Sequence, residues 1–517
     1  MWVNMNLREK IGQMIMTGFP SSNITPGLLQ LIEEYKVANI ILFSYNVSSL
    51  EQITGHCREL HRRIEKSTGY PAFIAIDQEG GVVTRLPKEA CNVPGAMLIG
   101  ATGNAEYAYR AGYITGMELK SIGINMDLAP VLDINSNPDN PVIGTRSYSS
   151  EAGMVERFGC NMQKGLLAAG VMPTVKHFPG HGDTAVDSHL GLPVVEKELE
   201  QLTEVELVPF QSAIDQGAPC VMTSHILFPK LEREKVPATM SRTILTGLLR
   251  GKMGFEGIII TDCLEMGAIV NHYGAAKGAV EAVKAGAQLL CISHTPALVI
   301  EAIQKIEEAV LSGEIAMELI DQAVDNIIKY KLAYRLDLSG GEAAQPDRKK
   351  CREEIRRMIR EGITKVSEEE LPEFSKAAVF LGSYAYRSTL VSSPVYKNLH
   401  FANYMAERLN CTYIDVPVEP EKEDIARIME QLGECPSVVY GMYNGHLNRG
   451  QISLANEISR SGKTVTAIAL RNPYDLALLE DKIHKLAAYE YNEEAFDALI
   501  KILTKEEALT GRLPVKL

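Results

Sequence analysis

Eight times between residues 13 and 293, a short apolar run rich in β-branched residues is followed by a longer amphipathic segment. The runs are "QMIMTGF" (13–19), "ANIILFS" (38–44), "AFIAID" (72–77), "INMDLAPVLDI" (124–134), "MPTVKHF" (172–178), "PCVMTSHI" (219–226), "GIIITD" (257–262) and "AQLLCIS" (287–293). Most are nearly continuous in apolar residues rather than alternating, which suits parallel strands buried on both faces. Segments such as "TPGLLQLIEEY" and "ALVIEAIQKIEEAVLSG" show the helical period between them. Eight β-α units in succession predict a (β/α)8 barrel over residues 1–340; an open doubly wound sheet would not usually need eight. Asp77, Lys176, His177, His225 and Asp262 each fall at or just beyond the C-terminal end of a predicted strand. In such a barrel that rim carries the chemistry.

The pattern breaks after "DLSGGEAAQPD" (337–347). "RKKCREEIRRMIREG" reads as a strongly charged helix and "SEEELPEF" as a polar break, giving a partly helical linker over 341–372. Beyond it "KAAVFLGS", "PSVVYGMY", "KTVTAIAL" and "KLAAYEY" alternate with helical segments and predict a smaller α/β domain over 373–517. A chain of 517 residues is long enough for both.

Composition narrows the function classes. Apolar residues at 46% and charged residues at 23% are the mix of a globular protein. A net charge of −13, with no basic run able to track a phosphate backbone, argues against nucleic acid as a partner. The nine cysteines are scattered, with no Cys-x-x-Cys pair, so zinc ribbons and dithiol redox motifs are excluded. Several sit in apolar runs as small core residues, and a reducing compartment suits them. The start "MWVNMNLREKIGQMIMTGF" lacks the charged, apolar and small-residue zones of an export signal, and no apolar stretch reaches membrane-spanning length. A cytoplasmic protein without a membrane partner is expected; oligomeric state is left open.

The stretch "VKHFPGHGDTAVDSHLGLPVV" (175–195) packs three histidines and two aspartates into thirteen residues. As a metal site it is poor: Pro179 and Gly180 break the helix that would align His177 and His181, and zinc needs three or four convergent ligands. No metal or other cofactor is expected. A purely structural polar loop is a second reading, and acid/base chemistry fits better. Asp187 and His189 are two residues apart, so the carboxylate can fix the imidazole tautomer and stabilise its protonated form. Such a histidine donates a proton to a leaving group and recovers one from water. Asp262 leaves an apolar strand directly into the barrel mouth, where it either caps a following helix or serves as a carboxylate nucleophile. A carboxylate facing an acid across a pocket is the arrangement of retaining glycoside cleavage.

"AIDQEGGVVTRL", "IGTRSYSS", "KHFPGHGDTAVDSHLGLPVV" and "TDCLEMGAI" resemble, in order, the signatures of the β-N-acetylglucosaminidases of glycoside hydrolase family 3. "LREKIGQMIMTGF" resembles the family's usual start, and a barrel followed by a smaller α/β domain is similar to its two-domain members. The resemblance implies Asp262 as nucleophile and His189, held by Asp187 on a mobile loop, as acid/base. The β-glucosidase branch instead takes a glutamate from the second domain, so the Asp-x-His triplet points to the N-acetylglucosaminidase branch. Asp77, Arg85, Arg146, Lys176 and His177 match the family's sugar-binding positions. Lys176 also stands out on its own, because an unpaired ammonium on a buried strand is costly. His225 is expected to point into the same pocket, with no assigned role. Glu79 reads as a brace for its turn and Asp133 as a support for Arg146.

The substrate implied is terminal, non-reducing β-linked N-acetylglucosamine, usually on cell-wall fragments, a small carbohydrate partner. Phosphorolysis is the runner-up, since an acid/base histidine does not repel phosphate, followed by a β-glucosidase-like activity. A sugar-binding protein without catalysis and a metal-dependent barrel hydrolase are more distant. In the second domain, "YGMYNGHLNRG" (440–450) and "ALRNPYDLALL" (469–479) carry polar residues at strand ends that either reach over the barrel mouth or pack against it.

Overall fold

Every one of the eight runs contains a strand. The computed structural model describes residues 5–188, 191–336, 345–387, 389, 391–393 and 398–517. The barrel strands are β1 (Ile15–Thr17), β2 (Asn39–Leu42), β3 (Phe73–Ile76), β4 (Met126–Asp127), β5 (Met172–Pro173), β6 (Val175–Phe178), β7 (Cys220–Thr223), β8 (Ile258–Ile260) and β9 (Leu290–Cys291). All pairings are parallel, in two arcs, β5-β4-β3-β2-β1-β9 and β6-β7-β8. Bridges from Val131 to Lys176 and from Ile260 to Leu289 join the arcs into a closed ring. The fifth run thus appears as two pieces, β5 and β6, of one barrel position.

Proline explains that interruption and the shortness of β4. Pro130 and Pro173 lack the N–H that a continuous ladder requires. The fourth and fifth runs stay together nonetheless: Met172 N donates to Asn125 O (2.9 Å), Thr174 N to Ala129 O (2.9 Å) and Lys176 N to Pro130 O (3.2 Å). Successive residues of β2 and β3 enter different hydrophobic clusters, Ile40, Leu42, Ile74 and Ile76 in one, Ile41, Phe73 and Ala75 in the other. That is the period-2 alternation of a sheet buried on both faces.

The charged segment after the barrel is a helix, α1 (Arg348–Gly362), capped by Asp347, whose side chain accepts from Lys350 N. Its buried residues Cys351, Ile355, Met358 and Ile359 follow the helical period, while the charges face outward. At its end a Cβ on Gly362 would lie 2.6 Å from Leu98 O, so only glycine allows this approach to the barrel. The second domain holds β10 (Thr364–Lys365), β11 (Val379–Gly382), β12 (Thr412–Asp415), β13 (Ser437–Met442), β14 (Thr464–Ala469) and β15 (His484–Ala487). Their order is β10-β15-β14-β13-β11-β12, parallel except for β10 against β15.

Two features differ from the sequence-based expectation. β10 joins the second sheet from inside the segment read as linker. β12, "TYID", is an edge strand whose residues are mostly exposed, so it lacks the apolar run that marks the others. Among the described residues no helix is long and apolar enough to cross a membrane.

Candidate active site

The rim at the strand ends holds a continuous chain of buried charges. Lys176, on β6, places Nζ 2.7 Å from Asp77 Oδ1, just past β3, and 2.7 Å from Glu79 Oε1. Glu79 also accepts a two-pronged pair from Arg146, Nε to Oε2 and Nη2 to Oε1, both at 2.8 Å. Burial alone would raise the Glu79 carboxyl, but Arg146 and Lys176 overcome it and hold it well below the usual carboxylate range. The same carboxylates overcome the burial of Lys176 and keep its ammonium charged. His177 follows on β6. Its Nδ1 lies 2.6 Å from Asp133 Oδ2 and its Nε2 lies 3.5 Å from Arg146 Nη2. One ring nitrogen thus faces a carboxylate and the other a guanidinium donor.

Arg85 is set by the loop after β3. Gln78 Oε1 accepts from Arg85 N (2.8 Å) and Leu86 N (3.3 Å), which turns the chain back toward the rim. The Arg85 guanidinium donates through Nη1 to Ser393 Oγ (3.2 Å) of the second domain.

The glycine-rich loop is held from inside. Asp133 Oδ1 accepts from His181 N (2.7 Å), and the His181 ring bonds Thr184 Oγ1 (2.9 Å) and Ser188 Oγ (3.1 Å). A Cβ on Gly182 would meet Ile134 O at 1.6 Å, so glycine is required there. Ser188 O accepts from Ala268 N (3.2 Å), which ties the loop to the segment that follows Asp262. Asp187 is buried beside Ser188. His189 lies outside the described residues.

Burial and the adjacent His177 push the His181 imidazole down to about 4. The unfolded chain, with an ordinary histidine near ~6.5, therefore takes up the proton first, and stability falls as pH drops through this window. Urea unfolding at pH 7 and pH 4 should show the native protein losing ~3 kcal/mol more than His181→Gln. Equal losses would refute this role.

Asp262 follows β8, the seventh barrel position, and Asp77 follows the third; in a ring of eight these lie opposite one another across the mouth. The next helix (Gly267–Val270) has Met266 as its N-cap, without a side-chain bond, so Asp262 does not cap it. Its Oδ1 accepts from Cys263 N (2.7 Å). His225 Nε2 donates to Cys263 O (2.9 Å) and Nδ1 meets Thr239 Oγ1 (2.8 Å), so both ring nitrogens are engaged by protein. Among the described residues no three His, Cys, Asp or Glu side chains converge as metal ligands would.

The "Glycosyl hydrolase family 3 N terminal domain" profile matches residues 6–330, the whole barrel. The chain belongs to glycoside hydrolase family 3. It is 30% identical to beta-hexosaminidase A of Pseudoalteromonas piscicida, over 96% of this chain and 91% of that one. It is 32% identical to a beta-hexosaminidase of Xylella fastidiosa (strain 9a5c), over 57% of this chain and 87% of that one. Among solved structures, a glycoside hydrolase family 3 beta-N-acetylglucosaminidase from Paenibacillus sp. str. FPU-7 superposes with a TM-score of 0.91 at 38% identity, covering 99% of both chains. This family 3 chain is thus a glycoside hydrolase, with a (β/α)8 barrel and a smaller α/β domain.

Two carboxylates at the family 3 rim act differently from the sequence-based expectation, and a third carried none. Glu79 does not brace its own turn but joins Arg146 to Lys176. Asp133 hydrogen-bonds His177 and His181, and reaches Arg146 only through longer-range electrostatics. Asp127, unremarked in the sequence, is fully buried at the end of β4; it accepts from Gln78 N (3.0 Å), and burial raises it well above the carboxylate range. Its only sequence signal is a charged residue inside an apolar strand.

The second domain also reaches the rim. Tyr474 OH accepts from Asn135 Nδ2 (2.6 Å), and Asn135 Oδ1 accepts from Gly144 N (3.1 Å) two residues before Arg146. Gly144 has φ of 47°, and a Cβ there would lie 2.5 Å from Asn472 Oδ1.

Proposed function

We propose that this chain is a retaining exo-β-N-acetylglucosaminidase that removes terminal non-reducing β-N-acetylglucosamine, with cell-wall fragments as its natural source. One observation carries the reading. Asp262 stands across the mouth from the Asp77–Lys176–Glu79–Arg146 chain, and the Ser188–Ala268 bond draws the Asp187 loop to its side. The names carried by the Pseudoalteromonas and Paenibacillus proteins support the choice of sugar.

In this mechanism Asp77, Lys176, Arg146, His177 and Arg85 hold the sugar through its hydroxyls, with Glu79 and Asp133 fixing the cations and the imidazole. The Asp262 carboxylate attacks the anomeric carbon as the bond to the leaving oxygen breaks. His189, kept in one tautomer by Asp187, gives that oxygen its proton. Water then attacks the glycosyl–enzyme, returns a proton to His189 and frees Asp262 with the original anomeric configuration. His225 keeps the Cys263 carbonyl, and with it the Asp262 segment, in place.

The test is turnover of an aryl β-N-acetylglucosaminide and the matching β-glucoside in EDTA, with and without phosphate, with the first-formed anomer followed by proton NMR. Preference for the acetamido sugar, insensitivity to EDTA and phosphate, and β-anomer as first product are expected. An α-anomer formed first, or preference for the glucoside, would overturn the proposal; a sugar 1-phosphate would replace hydrolysis with phosphorolysis.

A further inference from the structure

A cavity of about 550 Å³ lies between the barrel, α1 and the second domain, within the size range of small-molecule sites. Its walls include Arg85, Arg471, Ser392, Ser393, Tyr443 and Glu490; Asp77, Lys176 and Asp262 do not border it. Two arginines set its character. Arg85 is 7% exposed and Arg471 6%.

Their hydrogen-bond partners are neutral. Arg85 donates to Ser393 Oγ (3.2 Å), and Arg471 donates to Tyr443 OH (2.8 Å) and Ser392 Oγ (3.2 Å). The Nε of each finds no hydrogen-bond partner among the described residues. Asp77 and Glu79 act on Arg85 only at longer range, and both are already bound to Lys176. A buried guanidinium without a paired carboxylate is costly, and here two of them meet at one Ser392–Ser393 turn.

Among the described residues of the wall the buried carboxyl is Glu490, which acts on Arg471 only at longer range and not through a hydrogen bond. Glu490 already accepts from Gly95 N (2.6 Å) and Asn492 Nδ2 (3.0 Å), and burial raises it to about 7. At the mouth, Arg352 and Arg356 stand one turn apart on α1, with Lys88 paired to Glu493 (3.3 Å) and Glu494 as the other carboxylate there. The planar fork of arginine matches an oxyanion better than any other ligand group.

We propose that this interdomain cavity binds an anion, a carboxylate or phosphate carried on a sugar-sized molecule, between the guanidiniums of Arg85 and Arg471. The site adjoins the catalytic rim and has Arg85 in common with it, so its occupancy is felt where the sugar sits. Recognition does not depend on the glycosidase reading.

Isothermal titration of the full chain at low salt tests it, with inorganic phosphate and glucuronate as probes and N-acetylglucosamine as a neutral control. At least one anion should bind the native protein, and Arg471→Gln should weaken it about tenfold or more while leaving the neutral sugar unchanged. Binding of phosphate alone assigns a phosphate ligand, and of glucuronate alone a carboxylate. If neither anion binds below about 10 mM, or if Arg471→Gln binds as tightly as the native protein, the proposal fails. Failure of N-acetylglucosamine to bind would count against the glycosidase reading and not against this one. Should Arg471→Gln not fold, a crystal structure of the native protein with phosphate decides: an oxyanion within hydrogen-bond distance of both guanidiniums supports the site, and its absence there overturns it.

Discussion

Asp262→Ala is expected to lower kcat on an aryl β-N-acetylglucosaminide by ~10³-fold or more, equivalent to ~4 kcal/mol of transition-state stabilisation. The fold should survive, because Asp262 sits part-exposed at the rim and does not cap the helix that follows. The loss would therefore appear in kcat without a matching fall in the unfolding midpoint. Added azide should restore part of the turnover and give an α-glycosyl azide, since the small anion attacks from the face that the carboxylate has vacated. A variant that keeps more than about a tenth of native activity would remove Asp262 from the nucleophile's role.

Glu79→Gln is expected to act on stability as strongly as Asp262→Ala acts on rate. It removes the charge shared by Arg146 and Lys176, whose side chains are 2% and 1% exposed, and leaves positive charge buried with one carboxylate fewer. Breaking such a pair costs ~3–5 kcal/mol, which urea unfolding at pH 7 would register. The sign of the pH dependence follows from Glu79 being depressed in the folded chain. Its contribution is present above the unfolded value near ~4.3 and is lost as pH falls toward the folded one. The gap between native protein and variant should thus be full at pH 7 and shrink below about pH 4. A gap under about 1 kcal/mol at pH 7 would mean the charge chain contributes little.

The fold was legible because each barrel strand is a local signal. An apolar run such as "GIIITD" ends in a polar residue, and that ending marks the rim. The same logic singled out Asp77 and Asp262, which follow β3 and β8 at the ends of strands of one ring, and Lys176, which the structure places within β6 instead of at its end. What escaped was pairing. Glu79 and Arg146 are 67 residues apart and Asp133 and His177 are 44 apart, and nothing local says which cation meets which carboxylate. Ser393 is harder still: it meets Arg85 from 308 residues away, on a turn without any pattern of its own. β12 was missed for the opposite reason, since its exposed face leaves no apolar run to read.

The hydrophobic interior does not respect the division into two domains. One cluster runs from Ile74, Leu98 and Phe158 in the barrel through Met358 and Ile359 of α1 to Phe380, Ile468 and Leu499 in the second domain. Part of the barrel's outer shell thus packs against α1 and the second domain instead of water. The barrel of this chain is not a detachable part: cutting after it would expose that shell to water, so a shorter ancestor or descendant would have to rewrite that face in polar residues first. Loss or gain of the second domain is then an event of surface redesign as much as of gene length.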